Sequence, residues 1–148
     1  MISWLIKFLA TAGYVGYIPF ASGTFATVIG WISYLFLKDN IFLLSSCIVT
    51  GFFVGVWVST EAEALFQEKD SHKIVIDEVI GFWITMYLLP PTLGYALGGF
   101  FLFRLFDVIK PVGIRRTQAL SGGWGVMIDD MLAGALANVI LQLCRIVF

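Results

Sequence analysis

The chain has 148 residues, of which 59% are hydrophobic and only 13% are charged, and its formal net charge is −1. A soluble domain of ordinary composition carries roughly 25% charged residues, so these values predict one integral membrane domain, residues 1–148. A chain with no excess of positive charge does not attract a polyanion, which argues against a nucleic-acid-binding protein.

The N-terminal third alternates apolar runs with short breaks. Residues 1–23 contain one charge, Lys7, and several glycines, so they are expected to lie along the membrane interface or to re-enter the membrane. Residues 25–37 are predicted to form a short membrane helix. Residues 41–58 are uncharged and approach the ~20 residues that a bilayer core requires. The polar residues 59–73 are expected to extend that helix and then to form a loop.

Residues 79–103 carry no charge and could form one long span, but Pro90 and Pro91 lie in their middle. Each proline inside a helix costs ~3 kcal/mol or more, because it removes a hydrogen bond and clashes with the preceding turn. We therefore favour a helical hairpin with helices over residues 74–89 and 92–109.

A fifth helix is predicted over residues 131–144, where Ala133, Gly134 and Ala137 offer a face for close packing. The predicted fold is therefore an all-α, polytopic helical membrane protein with about five short transmembrane or interfacial helices. Its polar site is expected at one membrane face, and its oligomeric state is left open.

The hairpin decides where the charges lie. With five spans, seven of the nine Lys and Arg residues fall on the side of the N-terminus, opposite Lys38 and Arg145. The positive-inside bias makes that side cytoplasmic. The same topology brings a set of polar residues to that face: Thr24, Asp77, Glu78, Asp107, Asp129 and Asp130.

A short charged motif lies at the end of the second hairpin helix. Arg104, Asp107 and Lys110 recur every three residues, so on a helix they share one broad face with the acid between two cations. Pro111 and Gly113 then end that helix. Arg104, Lys110 and Arg115 are candidates for binding a phosphate, or else they anchor the chain among lipid headgroups.

Two acidic pairs occur in similar settings, Asp77-Glu78 before Gly81 and Asp129-Asp130 before Gly134. Adjacent helical residues point about 100° apart, so each pair offers one ligand inward and one to a neighbour or a cap. Simple N-capping at the interface is the alternative, since acids favour a helix N-terminus by about 0.3–1 kcal/mol.

The number of acids argues for a metal. Two acidic pairs and Asp107 at one face repel each other unless a cation compensates them, and oxygen ligands suit a hard divalent ion such as Mg²⁺. A cationic loop beside such an ion suits a bound phosphate. Gly23 and Thr24 offer backbone N–H groups and a hydroxyl to an anion, although Thr24 is equally an ordinary N-cap.

Three blocks of the sequence resemble the phosphatidylglycerophosphatase A family, and together they extend over most of the chain. They are GYIPFASGT at residues 16–24, the stretch 70–81 that ends in IVIDEVIG, and the stretch 103–134 with FRLFDVIKP and GGWGVMIDD. Ser22 and Ser71 stand where the family typically has proline, which alters loops and leaves the charged groups intact.

The resemblance implies Mg²⁺-dependent hydrolysis of phosphatidylglycerophosphate to phosphatidylglycerol and phosphate. It further implies a multi-pass protein of the bacterial inner (cytoplasmic) membrane with its active site on the cytoplasmic face. The positions that match the family's motifs are Asp77, Glu78, Asp107, Asp129 and Asp130, with Arg104 and Lys110 beside them. Taken with the residue chemistry above, these positions predict the following roles: catalytic Asp77, Asp107 and Asp129; metal-binding Glu78, Asp107, Asp129 and Asp130; substrate-binding Thr24, Arg104, Lys110 and Arg115. The alternative is a membrane transporter or structural protein whose acidic cluster binds ions or protons.

Overall fold

The computed structural model describes residues 2–147, apart from four side chains, those of Val112, Arg115, Arg116 and Gln118. Every regular element in this range is helical, as the composition predicts. The α-helices are α1 (Ile2–Ala10), α2 (Ser22–Leu37), α3 (Ile41–Phe66), α4 (Ile76–Thr85), α5 (Leu93–Ile109), the single turn α6 (Val112–Arg115) and α7 (Gly123–Val147). Helices α2, α3, α4, α5 and α7 are the five that the sequence predicts.

The helical hairpin is confirmed, because α4 and α5 are separate helices on either side of Pro90 and Pro91. Helix α4 ends at Thr85, however, four residues before the predicted end at residue 89. The amide of Asn138 in α7 explains this early end, since Nδ2 donates to the carbonyl oxygens of Thr85 at 2.8 Å and Tyr87 at 2.7 Å. These carbonyls are satisfied without another helical turn.

Two predicted helix starts are wrong by three residues or more. Helix α7 begins at Gly123 instead of residue 131, because the glycine-rich segment packs against α3. A Cβ at Gly123 would overlap the carbonyl oxygen of Val56, and the Gly123 N–H donates to Thr60 Oγ1 at 2.9 Å. Helix α2 likewise begins at Ser22, three residues before the predicted start at residue 25.

Close packing of α4 against α7 forms the centre of the molecule. Ala133, Gly134 and Ala137 are all buried, which confirms the predicted packing face of α7. A Cβ at Gly134 would overlap the carbonyl oxygen of Gly81, so the two backbones approach through paired glycines. The fully buried rings of Phe82 and Phe103 lie beside this crossing and fix α5 against it.

Two helices, α3 with 26 residues and α7 with 25, are long and apolar enough to cross a membrane, judged by length and composition. Large side chains on α3, including Phe42, Phe53 and Trp57, project from the protein with more than half of their surface exposed. Such a surface is costly in water and suits a lipid environment. The fold is therefore that of a helical membrane protein.

Candidate active site

A polar cavity of about 440 Å³ lies at the end of the protein where α2 and α4 begin and α5 ends. The loop before α4 forms one wall of the cavity, and Asp130 in the second turn of α7 lines another part of it. Its polar lining includes Ser22, Asp70, Ser71, His72, Asp77, Glu78, Arg104, Asp107, Lys110 and Asp130. Two helix N-termini, one helix C-terminus and one loop thus meet at a single site, as the predicted topology requires.

The acids Asp77, Glu78 and Asp130 form a compact cluster in this cavity. Each offers a carboxylate oxygen, and these three oxygens lie within 4.8 Å of one another. Asp130 is only 2% exposed and Asp77 is 9% exposed. One oxygen of each carboxylate, namely Asp77 Oδ1, Glu78 Oε2 and Asp130 Oδ2, is buried without a hydrogen-bond partner among the described residues.

This arrangement fits a bound metal cation. A buried polar atom without a partner costs roughly 1–3 kcal/mol, and more if it is charged. Three carboxylates clustered this closely add mutual repulsion to that cost. A hard divalent ion with oxygen ligands removes both penalties at once. The cluster therefore fits the cation that the sequence predicts, and it includes Asp77, for which the sequence indicated a catalytic role.

The two cations of the predicted motif lie beside this cluster. Arg104 Nη1 is 2.5 Å from Asp107 Oδ2 and 3.7 Å from Glu78 Oε1. Lys110 Nζ is 3.9 Å from Asp107 Oδ1, so the acid stands between the two cations as predicted. The guanidinium also connects α5 to α4, because Glu78 belongs to the first turn of α4.

Lys110 joins this motif to α7 through a hydrogen bond that its ammonium donates to Asp129 Oδ2. Burial alone lowers the pKa of an amine, but the hydrogen bond and charge of Asp129 outweigh it and raise the pKa of Lys110 above its ordinary value. Lys110 is thus a fixed positive charge at the cavity wall. Its backbone is left-handed, with φ of 46°, which ends α5 directly before Pro111.

The pair Asp129-Asp130 divides its side chains as predicted for adjacent helical residues. Asp130 points into the acid cluster, whereas Asp129 pairs with Lys110. Both lie in the second turn of α7, so the alternative that they cap the start of a helix is wrong. The structure therefore gives the two neighbouring acids different partners.

The N-terminus of α2 closes another side of the cavity. Gly23 lines it, and a Cβ there would overlap Glu78 Oε1 and come within 2.9 Å of Arg104 Nη1. Thr24 is half-buried and is absent from the cavity lining among the described residues. The N-cap of α2 is Ala21, so Thr24 is not the cap either.

Three loop residues of the wall, Asp70, Ser71 and His72, were not among the predicted site residues. Ser22 Oγ donates to the carbonyl oxygen of His72 at 3.1 Å and ties this loop to the start of α2. His72 is exposed and lies at the cavity. Their position directly before the Asp77-Glu78 pair is the feature of the sequence that could have identified them as site residues. The side chain of Arg115, a predicted phosphate ligand, lies outside the described residues.

Replacing Gly23 with Ala is expected to lower kcat/KM by about tenfold, because the new methyl group displaces Glu78 or Arg104 and small misplacements of reacting groups are costly. Steady-state turnover measures the loss of activity, and the melting temperature shows whether the fold is kept. Gly94→Ala in α5 is the matched control, since a Cβ there meets nothing within 4 Å. Equal activity of both variants would show that the close contact at Gly23 has no catalytic importance.

A helical membrane protein whose cavity combines a cation-binding carboxylate cluster with fixed guanidinium and ammonium groups has the construction of an enzyme that acts on phosphate esters. The comparisons with known proteins agree. The sequence model described as Phosphatidylglycerophosphatase A matches residues 8–145, and the chain belongs to this family. It is accordingly a phosphatase that hydrolyses phosphate monoesters.

Curated relatives come from several bacteria. A protein of Bacteroides thetaiotaomicron, provisionally named as a phosphatidylinositol-3-phosphatase, is 34% identical over 97% of this chain and 95% of its own length. The phosphatidylglycerophosphatase A proteins of Escherichia coli and Haemophilus influenzae are each 33% identical. Those alignments cover 84% and 92% of this chain, and 72% and 86% of the relatives. No solved structure shows significant similarity to the chain.

Proposed function

We propose that this protein hydrolyses the terminal phosphate of phosphatidylglycerophosphate, releasing phosphatidylglycerol and inorganic phosphate, with Mg²⁺ as its cofactor. The observation that carries the proposal is the set of three unpaired carboxylate oxygens in the cavity that Arg104 and Lys110 also line. The names of the two relatives from Escherichia coli and Haemophilus influenzae support the substrate.

Asp77, Glu78 and Asp130 would hold the metal ion. When bound, Mg²⁺ supplies positive charge that neutralises the phosphate and the charge that develops as the ester bond breaks. Arg104 can present further N–H groups of its planar guanidinium to phosphate oxygens, and the Lys110 ammonium adds a second fixed positive charge. In the net reaction water supplies the oxygen that bonds to phosphorus, the bond to the glycerol oxygen breaks, and that oxygen takes up a proton; direct attack by water and an aspartyl-phosphate intermediate are the two routes to these products.

Asp107 and Asp129 are assigned a positioning role in this proposal. Asp107 holds the guanidinium of Arg104, and Asp129 holds the ammonium of Lys110. Their sequence-based assignment as catalytic groups and metal ligands stays a prediction. The same holds for the phosphate-binding roles assigned to Thr24 and Arg115.

Phosphate release from phosphatidylglycerophosphate in detergent tests the proposal. We expect release with Mg²⁺, loss of release with EDTA, and recovery when excess Mg²⁺ is added back. Release that is insensitive to EDTA would contradict the assigned cofactor. Phosphatidylinositol 3-phosphate is the second substrate to assay, because the relative of that name aligns with nearly the whole chain. A preference for it would replace the proposed substrate and keep the proposed site.

The same proposal places a single multi-pass domain in the bacterial cytoplasmic membrane with the cavity on the cytoplasmic face. Thiol labelling of Lys69→Cys and Leu120→Cys should then occur from the same side, and labelling of Asp39→Cys from the other. All three positions are exposed in the structure. The background carries Cys47→Ala and Cys144→Ala. Labelling of positions 69 and 120 from opposite sides would refute this topology.

The rival assignment to a transporter or a structural membrane protein is set aside, because the chain belongs to a family of phosphatases. The geometry agrees with this choice. Among the described residues, the acids of the cluster lie at one end of the helices, beside two cations, and not along the helix axes.

A further inference from the structure

Residues 2–25 carry six exposed aromatic side chains, and we call this segment the aromatic platform. They are Trp4, Phe8, Tyr14, Tyr17, Phe20 and Phe25, and each is between 39% and 69% exposed. Ring contacts join them into two groups. Trp4 stacks on Phe8 at 5.7 Å, and edge or tilted contacts of 5.9 Å continue through Tyr14 to Tyr17. Phe20 and Phe25 form a second pair at 6.1 Å.

The platform cannot cross the membrane. Its one complete α-helix among the described residues, α1, has nine residues and is about 14 Å long, against a bilayer core of ~30 Å. Its inner face, formed by Ile6 and Ala10, packs in one cluster with Val58 and Ala62 of α3. Left-handed backbone at Ala12, Gly13 and Tyr14 then turns the chain towards the active site. This packing favours a position along the membrane interface over deep re-entry.

The platform is fixed to the segment that leads into the acid cluster. The N–H of Val75 donates to the carbonyl oxygen of Ala10 at 2.9 Å. Gly16 packs so closely on the carbonyl group of Lys73 that a Cβ would overlap it. Since Asp77 follows two residues after Val75, the depth of the platform also sets the depth of the acid cluster.

The chemistry of the platform matches the headgroup region of a bilayer. Tyr and Trp rings prefer this region, because each combines an apolar body with a polar group. The ammonium of Lys73 lies 5.8 Å from the ring centre of Tyr17 and 5.3 Å from that of Phe66, which leaves a positive charge at the same level. Lys7 on α1 adds a second cation that anionic lipids attract.

We propose that residues 2–25 form an interfacial platform that lies in the plane of the membrane, at the boundary between headgroups and acyl chains, and holds the active-site cavity at headgroup level. The platform would contact the lipids of the leaflet from which the substrate would reach the cavity. Helix α3 also exposes an apolar surface, which would continue the platform towards the bilayer core. The aromatic rings and α3 would then form one membrane-facing surface.

Spin labels in phospholipid vesicles test this placement without any measurement of activity. A label at Leu5→Cys keeps all six rings and lies on the exposed side of α1. Labels at Phe53→Cys, in the middle of α3, and at Lys69→Cys, in the loop after α3, are the deep and the aqueous controls. Collisions with oxygen and with a water-soluble nickel chelate give the depth of each label, in a background with Cys47→Ala and Cys144→Ala.

We expect the label at position 5 to lie about 5–10 Å below the headgroup surface, between the two controls. A second label at Phe20→Cys should give the same intermediate depth. Accessibility to the chelate equal to that at position 69 would show that the platform faces water. A depth equal to that at position 53 would show re-entry, and protection from both reagents would show that another protein covers it. Each of these three results overturns the proposal.

Discussion

Replacement of Asp130 by Asn is expected to reduce kcat by at least about 10²-fold, comparable to the loss of one transition-state stabiliser. Asp130 is almost fully buried, and its Oδ2 has no hydrogen-bond partner among the described residues. Asn keeps the volume and removes the negative charge that a hard cation requires. Steady-state phosphate release on matched amounts of folded protein measures the effect.

The thermal stability of this variant separates a metal ligand from a structural group. Without Mg²⁺, the wild-type cluster holds three mutually repelling carboxylates, so Asp130→Asn should melt at the same or a higher temperature. Added Mg²⁺ should stabilise the wild type and leave the variant nearly unchanged, because a ligand stabilises only the state that binds it. Glu78→Gln is expected to behave in the same way.

The matched control is Glu61→Gln, which removes the charge of an exposed acid on α3. Its activity and its response to Mg²⁺ should equal those of the wild type. Asp129→Asn is the more informative comparison, since Asp129 pairs with Lys110. If Asp129 only positions Lys110, this variant loses activity but keeps its stabilisation by Mg²⁺. Near wild-type turnover in both Asp130→Asn and Glu78→Gln would contradict the proposed metal site.

The sequence predicts the helices and their meeting point well, because both depend on local chemistry. Pro90 and Pro91 interrupt an uncharged stretch, and the break between α4 and α5 lies around them. That break brings the Asp77-Glu78 pair to the same end of the molecule as Asp107 and Asp130, where one cavity includes them all. Three-residue spacing likewise places Asp107 between Arg104 and Lys110.

The remaining details depend on tertiary contacts that spacing does not encode. Glycine is a poor helix former by roughly 1 kcal/mol, so the segment at Gly122 and Gly123 indicates a flexible loop. The contact with α3 makes this segment the start of a helix instead, since only glycine at position 123 fits against the carbonyl group of Val56. Which acid pairs with a cation and which stays unpaired follows from the rotation of α7, and this separates Asp129 from Asp130 only after the helices pack.

Arg104→Lys separates phosphate recognition from membrane anchoring and is expected to lower kcat/KM between about tenfold and a hundredfold. The guanidinium contacts Asp107 and approaches Glu78, and a planar group with five N–H donors can keep these contacts and still bind a phosphate. A lysine ammonium is a single point charge that Asp107 would occupy. Membrane insertion and melting temperature should stay near the wild-type values, since the positive charge is kept.

Two further variants make this result interpretable. Arg145→Lys is the control, because Arg145 is exposed near the end of α7 and donates to the carbonyl oxygen of Leu88 at 3.3 Å, far from the cavity. Its activity should be unchanged. Asp107→Asn should do more harm than Arg104→Lys, since it removes the shared partner of Arg104 and Lys110 and leaves two cations side by side. If Arg104→Lys and Arg145→Lys have equal kcat/KM, Arg104 does not bind the phosphate, and its charge serves membrane orientation instead.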